Sequence, residues 1–289
     1  MNGRITKCVG GVFTVYDGEE FHICVARKKI RHKKEDLMVG DYVVFCEYEQ
    51  GLYSIEKRSA RFNALKRPPL ANIDQAVLVL AAEPLPDLLL LDKLAAYLTH
   101  AKVQIVLVYN KADLNNRELL QILKNDYSAF FRVLVVSAKT GEGMDALREM
   151  CQGKTTCFAG QSAVGKSSLL GKLLPEKQLE IGELSAKILR GKNTTRKSEL
   201  YLLPDGGYVA DTPGFSLFDL SEIDYRELHL YYPEFEPYNG KCRFDMCTHI
   251  TEPNCAVKEA VRCGDVCQGR YRRYCEIFTE LKAEFDRKY

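Results

Sequence analysis

The chain reads as an α/β protein: a parallel sheet covered by helices, preceded by a small β-barrel and followed by a cysteine-rich helical segment. Three observations predict this. "IDQAVLVLAA", "VQIVLVYN", "RVLVVSA" and "TTCFAG" are continuous apolar runs separated by segments of helical period, the pattern of parallel strands buried on both faces. Residues 1–66 instead carry short β-branched and aromatic runs broken by Asp-Gly and Gln-Gly turn signals. Six of the eleven cysteines crowd between Cys242 and Cys275.

Each segment follows from its composition. "GRITKCVGGVFTVYDG", "EEFHICVARKK" and "DYVVFCEYEQGLYSIEKR" supply about five short strands, for which the OB-fold is the leading barrel. "NALKRPPLANID" carries the Pro-Pro punctuation of a linker. "SELYLLP" and "GYVADTPG" add two strands joined by a Pro-Asp-Gly-Gly turn, and "RYRRYCEIFTELKAEFDRKY" closes the chain as a helix. The expected domains are 1–66, 67–222 and 223–289.

The bulk numbers exclude several classes. A 46% hydrophobic, 28% charged chain of 289 residues buries a core and is not a disordered polymer. A net charge of +2 gives no whole-molecule case for a polyanion partner. No apolar run approaches the roughly 18 residues of a membrane span, and "MNGRITKCVGG" lacks a signal peptide's apolar core. A cytoplasmic protein with reduced thiols is expected, and nothing demands more than a monomer. Cys8, Cys24, Cys46, Cys151 and Cys157, lying singly in apolar runs, read as small core residues.

"FAGQSAVGKSSLL" contains the phosphate-binding pattern G-x-x-x-x-G-K-[ST]. Its glycines let backbone N–H groups turn inward on phosphate oxygens, its lysine reaches the β- and γ-phosphates, and its hydroxyl ligates Mg²⁺. Gly160, Gln161, Ser162, Ala163, Val164, Gly165, Lys166, Ser167 and Ser168 are the candidates. In "DTPG", Asp211 ends a strand where it can hold Mg²⁺ through water, and the Gly214 N–H can meet the γ-phosphate. Alone this tetrapeptide reads as a plain turn; downstream of a phosphate loop it reads as a nucleotide element. "NKAD" offers Asn110, Lys111, Ala112 and Asp113. The Asp113 carboxylate can accept from both the ring N–H and the exocyclic amine of guanine, a pair adenine does not present, and the Lys111 stem can lie over the purine. Ser137, Ala138 and Lys139 form its companion "SAK". All follow strands, at the carboxyl ends where α/β sheets bind ligands.

The base-reading elements precede the phosphate loop, the reverse of the ordinary GTPase order. Rotating the sequence restores that order without disturbing any strand-to-loop relation, so the expected fold is a circularly permuted P-loop GTPase domain flanked by an N-terminal OB-type barrel and a C-terminal zinc-binding helical domain. On these motifs the whole chain resembles the ribosome small-subunit-dependent GTPase family, RsgA or YjeQ. The resemblance implies a GTPase that binds the small ribosomal subunit and its rRNA, acts late in subunit assembly, and is stimulated by the subunit.

"IGELSAKILRGKNTTRKSEL" lies where a GTPase places its first switch, with Thr195 favoured over Thr194 to close on Mg²⁺. Phe215 stands where Ras-like enzymes carry a water-orienting glutamine. Asn193 stands where the family often has histidine; an asparagine can orient water but not take its proton. Lys166, Thr195 and Asn193 are the catalytic candidates, with a partner surface expected to complete the site. A protein with a regulatory, barely catalytic GTP site stays open at this point, as does an ATP-using kinase in which "NKAD" is incidental.

"CRFDMCTHITEPNC" spaces Cys242, Cys247, His249 and Cys255 as C-x₄-C-x-H-x₅-C, a donor set suited to one structural tetrahedral Zn²⁺ and matching the family's pattern. Cys263, Cys267 and Cys275 do not continue the spacing and read as free thiols. "RKKIRHKK", with Arg27, Lys28, Lys29, Arg31, Lys33 and Lys34, places six cations in eight residues of the barrel and is a candidate RNA contact. "GRYRRY" adds Arg270, Arg272 and Arg273, interleaved with Tyr271 and Tyr274, as candidate base-stacking partners.

Overall fold

A computed structural model describes residues 1–27, 36–174, 198–211, 220 and 222–288. The chain divides into two compact units, the first comprising 1–77, 143–159 and 165–218, the second 78–142, 160–164 and 219–289.

The first unit begins with five strands, β1 (Asn2–Val9), β2 (Val12–Tyr16), β3 (Phe21–Ala26), β4 (Tyr42–Glu49) and β5 (Leu52–Arg58). They pair in the order β1-β2-β3-β5-β4, and β4 returns to β1, which closes the sheet into an OB-like barrel. The β1–β2 turn is made by Gly10 and Gly11, at φ 61° and 82°, values that suit a two-residue hairpin. Ile5, Phe13, Val15, Cys24, Val43, Phe45 and Ile55 fill the interior. In β3 the alternation is set by His22, which is buried against the Phe45 and Tyr53 rings and lies 2.7 Å from Asp17 Oδ2. Phe21 and Ile23 therefore face outward, 58% and 52% exposed.

The Pro-Pro stretch is not a linker. It forms a hairpin, β6 (Ala64–Lys66) with β7 (Pro69–Ala71), whose Leu65, Leu70 and Ala71 are fully buried. Gly40, at φ 95°, lies against this hairpin, and a Cβ there would come within 2.0 Å of the Ala71 carbonyl oxygen. Arg4 is buried beneath it. Its Nη1 donates to Thr155 Oγ1 (2.6 Å), Nη2 to the Asn72 carbonyl (2.8 Å) and Nε to the Gly40 carbonyl (3.2 Å). The Tyr42 and Tyr208 rings lie 4.9 and 4.7 Å from its guanidinium.

The rest of the first unit is α/β: β11 (Thr155–Ala159) pairs parallel with β13 (Tyr208–Asp211), and β13 pairs antiparallel with β12 (Glu199–Leu202). β12 also pairs with β1, so barrel and sheet are continuous there, with Lys7 and Glu199 in a 3.0 Å ion pair. β8 (Gln75–Ala81) starts in this unit, where Gln75 Nε2 donates to the Met150 carbonyl and Thr156 Oγ1, both at 2.9 Å. Helices of this unit are α3 (Met144–Cys151) and α4 (Lys166–Leu173).

In the second unit, the end of β8, β9 (Gln104–Asn110) and β10 (Arg132–Val135) form a sheet with β9 central and parallel to β10. α1 (Leu88–His100) and α2 (Arg117–Tyr127) belong to it. All of β8 and all but the first residue of β9 are buried, as their unbroken apolar runs predict. The C-terminal part has two 3₁₀ segments, Tyr225–Tyr231 and Pro233–Tyr238, then α5 (Ala256–Cys263) and α6 (Gln268–Lys288). Its core includes Leu228, Phe235, Val257, Tyr274 and Ile277.

None of the eleven cysteines, all of them among the described residues, is joined in a disulfide, and among the singly placed ones Cys24, Cys151 and Cys157 are buried as expected. Cys8 is half-buried and Cys46 exposed: Cys46 sits on the outward parity of β4, opposite in face to the inward Phe45.

Candidate nucleotide site and metal knuckle

β9 delivers its last residue, Asn110, into the interior, 1% exposed. That side chain makes two bonds: Oδ1 accepts from the Ala138 N–H (3.2 Å), and Nδ2 donates to the Val164 carbonyl (2.9 Å). One amide thus ties the first base-reading motif both to its companion and to the phosphate loop. Lys111 then adopts a left-handed conformation, φ 60°, which starts the 3₁₀ turn Ala112–Leu114. The Lys111 Nζ donates to the Glu83 carbonyl at 2.6 Å. Asp113 accepts from Ser137 Oγ at 2.7 Å, and Lys139 Nζ lies 3.8 Å from its other oxygen. The Ser137 hydroxyl, helped by Lys139, holds the Asp113 carboxyl below the usual carboxylate range. It is therefore ionised at neutral pH and acceptor-only.

The phosphate loop leaves β11 through Gly160, at φ 133°. A Cβ at this position would sit 2.3 Å from the Val79 carbonyl oxygen, so the backbone of the loop runs directly against β8. Alanine here forces that contact apart and strains φ, for about 2 kcal/mol or more. Gly160→Ala is expected to weaken GDP binding at least tenfold and to lower Tm; a titration with a fluorescent GDP analogue checks it. Ala163 and Gly165 also have positive φ, 64° and 95°, and Gly165 caps α4 without a side-chain bond. Such a left-handed turn at a helix start aims N–H groups at an anion. Gln161 Oε1 accepts from the Asp87 N–H (3.0 Å), while Ser162, Ala163, Ser167 and Ser168 are exposed and Lys166 half-buried. Asp211 ends β13 opposite Glu199. Thr194, Thr195, Asn193, Gly214 and Phe215 lie outside the described residues.

Cys242, Cys247, His249 and Cys255 converge, with their ligand atoms all within 4.8 Å of one another. His249 Nδ1 lies 3.3 Å from Cys255 Sγ and 3.6 Å from Cys242 Sγ, and these two sulfurs are 3.8 Å apart. A left-handed φ of 62° at His249 turns its ring into the cluster. The Ala256 N–H donates to Cys242 Sγ (3.3 Å) and the Lys258 N–H to Cys255 Sγ (3.5 Å), contacts that favour thiolates. Burial pushes the Cys247 thiol up to about 12 and the His249 imidazole down to about 4. Buried donors of this kind are compensated by a dication; soft sulfurs with one imidazole fit Zn²⁺ with no open position. Glu252 braces the loop. Despite its burial, bonds from the Thr248 N–H, Thr248 hydroxyl and Ile250 N–H hold its carboxyl down at about 2.

Two of the three tail arginines are not RNA contacts. Arg270 is 2% exposed and Arg273 nearly buried. Arg270 Nη1 donates to Asp92 Oδ1 at 2.7 Å, its Nε and Nη2 pair with Glu234, and its guanidinium lies 4.6 Å from the Tyr127 ring. Arg273 pairs with Asp92 and lies 3.6 Å from Asp126. The intervening aromatics are also occupied: Tyr274 is buried, and Tyr271 donates to the His249 carbonyl at 2.7 Å. α6 is amphipathic here, and the basic stretch has only Arg272 exposed. Arg270→Ala leaves two buried carboxylates short of a partner and is expected to cost about 3–5 kcal/mol of stability, read by urea unfolding, with the salt dependence of RNA binding unchanged.

In the barrel, Arg27 is exposed and paired with Glu56; Lys28, Lys29, Arg31, Lys33 and Lys34 lie outside the described residues. The outward face of β2 and β3 is marked by no motif in the sequence. It carries Val12, Tyr16, Phe21 and Ile23, with the Tyr16 and Phe21 rings 4.8 Å apart. The alternation in "FHICVA" was visible, but apolar residues on both parities hid which set faces out.

A glycine loop opening a helix, bonded through a buried asparagine to a guanine-type turn that precedes it in the chain, defines a circularly permuted P-loop GTPase. The RsgA GTPase family model matches residues 58–221, and the RsgA N-terminal domain model residues 2–53. The small ribosomal subunit biogenesis GTPase RsgA of Moorella thermoacetica is 40% identical over 284 residues, covering 98% of each chain. The protein of the same name from Agathobacter rectalis is 39% identical over 297 residues, again covering 98% of each. YjeQ from Thermotoga maritima superimposes with a TM-score of 0.85 at 35% identity, over 97% of this chain and 98% of that one. YloQ, a circularly permuted GTPase, gives 0.82 at 34% identity, over 98% and 95%. The chain belongs to the RsgA GTPase family and is a GTP-hydrolysing enzyme. Among the described residues, no helix is long and apolar enough to cross a membrane.

Proposed function

We propose that this GTPase binds the small ribosomal subunit through its rRNA, acts in the subunit's late maturation, and turns over GTP faster when bound to it. The observation that carries the nucleotide reading is the Asn110 amide, which bonds the Val164 carbonyl two residues before Lys166 and the Ala138 N–H of the second motif. Asp113 reads guanine: its two oxygens accept the ring N–H and the exocyclic amine, and Ser137 fixes its orientation. The Lys111 stem covers one purine face, and the Ala138–Lys139 backbone contacts the base edge. Residues 160–168 wrap the phosphates, with Lys166 placing positive charge on the β- and γ-oxygens. Ser167, exposed at the start of α4, and Asp211, at the end of β13, are suited to hold Mg²⁺ together with Thr195. Bound Mg²⁺ supplies charge neutralisation on the phosphate oxygens.

With Phe215 in the place of a water-orienting glutamine, and Asn193 unable to act as base, the group that aligns the attacking water comes from the bound subunit. Cys242, Cys247, His249 and Cys255 hold one structural Zn²⁺. The basic stretch 27–34 and Arg272 meet rRNA phosphates, and the Tyr16–Phe21 face of the barrel stacks on unpaired bases. The protein works as a cytoplasmic monomer, with domains 1–66, 67–222 and 223–289.

Phosphate release measured with and without purified small subunits tests this reading. Stimulation of tenfold or more, equivalent to about 1.4 kcal/mol off the barrier, with competition by GDP and not ADP, is expected. Unchanged turnover at saturating subunits overturns the partner assignment.

A further inference from the structure

A continuous set of side chains within the second unit joins the phosphate loop to the metal knuckle by way of α1. At one end, Gln161 accepts from the Asp87 N–H (3.0 Å) and donates its Nε2 to the Leu85 carbonyl (3.3 Å). Lys111 Nζ donates to the Glu83 carbonyl of the same loop. Residues 83–87 are thus held by one side chain from the phosphate loop and one from the base-reading turn. Asp87 ends this loop and caps α1, its Oδ1 accepting from the Leu90 N–H at 2.9 Å.

Five residues on, about 7–8 Å along a rigid helix, buried Asp92 receives both Arg270 and Arg273 of α6. From the same turns of α6, the Tyr271 hydroxyl donates to the His249 carbonyl (2.7 Å) and the Tyr274 hydroxyl to the Thr248 carbonyl (2.5 Å). These carbonyls belong to the imidazole ligand of the knuckle and to the residue before it. The centre of this series is buried, Asp92 and Arg270 being each at most 2% exposed, while the bonds of Gln161, Lys111 and Asp87 at its other end face solvent.

We propose that α1 is a lever that couples nucleotide binding to the metal knuckle, so that each site alters the affinity of the other. The inference rests on residues 110–113 and 160–168 being the nucleotide site. A nucleotide that orders Lys111 and Gln161 fixes the loop at 83–87 and hence the start of α1. A buried carboxylate shared by two guanidinium groups cannot slide without losing a partner, so α6 follows α1. Tyr271 and Tyr274 then carry that position to the backbone that aims His249. Coupling of this kind is reciprocal in free energy.

The test uses the full zinc-loaded chain. Zinc affinity is measured by competition with a chromophoric chelator, without nucleotide and with saturating GDP, after a fluorescent GDP analogue has confirmed binding. GDP is expected to raise zinc affinity about fivefold or more. Tyr271→Phe removes one hydroxyl and leaves the Asp92 contacts in place; in it, and in Arg273→Gln, the ratio falls towards one. A wild-type chain that binds GDP yet shows the same zinc affinity with and without it overturns the lever, as does a ratio undiminished in both variants. Failure of the wild-type chain to bind GDP overturns the nucleotide-site reading itself, and with it the basis of the lever.

Discussion

Replacing Asp113 by asparagine is expected to lower GDP affinity about 10³-fold and to shift preference to xanthosine diphosphate. The reason is a reversal of one hydrogen-bond partner. Ionised Asp113 offers two acceptors to the two N–H donors of guanine, and bonds of this charge-assisted kind contribute about 1.5–3 kcal/mol each. An amide presents one acceptor and one donor, so its NH₂ meets the exocyclic amine of guanine donor to donor. Xanthine carries a carbonyl there and restores the match. The Ser137 hydroxyl can still donate to the remaining carbonyl oxygen, so the turn keeps its shape and the change is confined to base selection. Titration of the variant with both diphosphates decides the matter: equal losses for the two would show that the substitution damages the turn and that Asp113 does not read the base.

The second large effect is loss of the metal. Chelation of zinc, or Cys255→Ala, is expected to unfold the C-terminal segment. Metal binding by such donor sets contributes about 10–16 kcal/mol of apparent folding free energy, as much as the whole stability of a typical domain, about 5–15 kcal/mol. Without it, the burial that pushes Cys247 up and His249 down leaves a neutral cluster with an unbonded His249 Nε2. Cys255→Ala also removes the sulfur that accepts the Lys258 N–H at the start of α5. The chain contains no tryptophan, so the near-ultraviolet dichroism reports tyrosines, among them the packed Tyr232, Tyr271 and Tyr274. That signal is expected to fall and proteolysis to open residues 242–255. A protease pattern unaltered after complete metal removal would mean that the knuckle folds without it.

Both effects concern residues that spacing alone singles out. The chemistry of "NKAD", "GQSAVGKS" and C-x₄-C-x-H-x₅-C is local: a few consecutive residues set the turn, the donors and the charge. The buried parallel strands were equally legible, since β8 and β9 need no partner's identity to declare themselves apolar on both faces. Side chains on the barrel surface and in the tail were not. "FHICVA" allows either parity until His22 finds Asp17 and the Phe45 ring. "GRYRRY" has the composition of a nucleic-acid patch, yet Arg270 and Arg273 are claimed by Asp92, 178 and 181 positions away, and by Glu234.

From the sequence alone came the motif order, and with it the permuted enzyme, the cysteine-histidine cluster and the barrel-sheet-tail succession; each depends on residues within one turn or strand. Only the tertiary structure decided that the Pro-Pro stretch is a buried hairpin against Gly40, that Arg4 lies against two tyrosine rings, and that Arg270 and Arg273 tie α6 to α1. The physical reason is that a charge or a proline turn has no fixed role until the fold supplies its partner. Such partners are brought close by packing across long stretches of chain, and neither period nor composition records them.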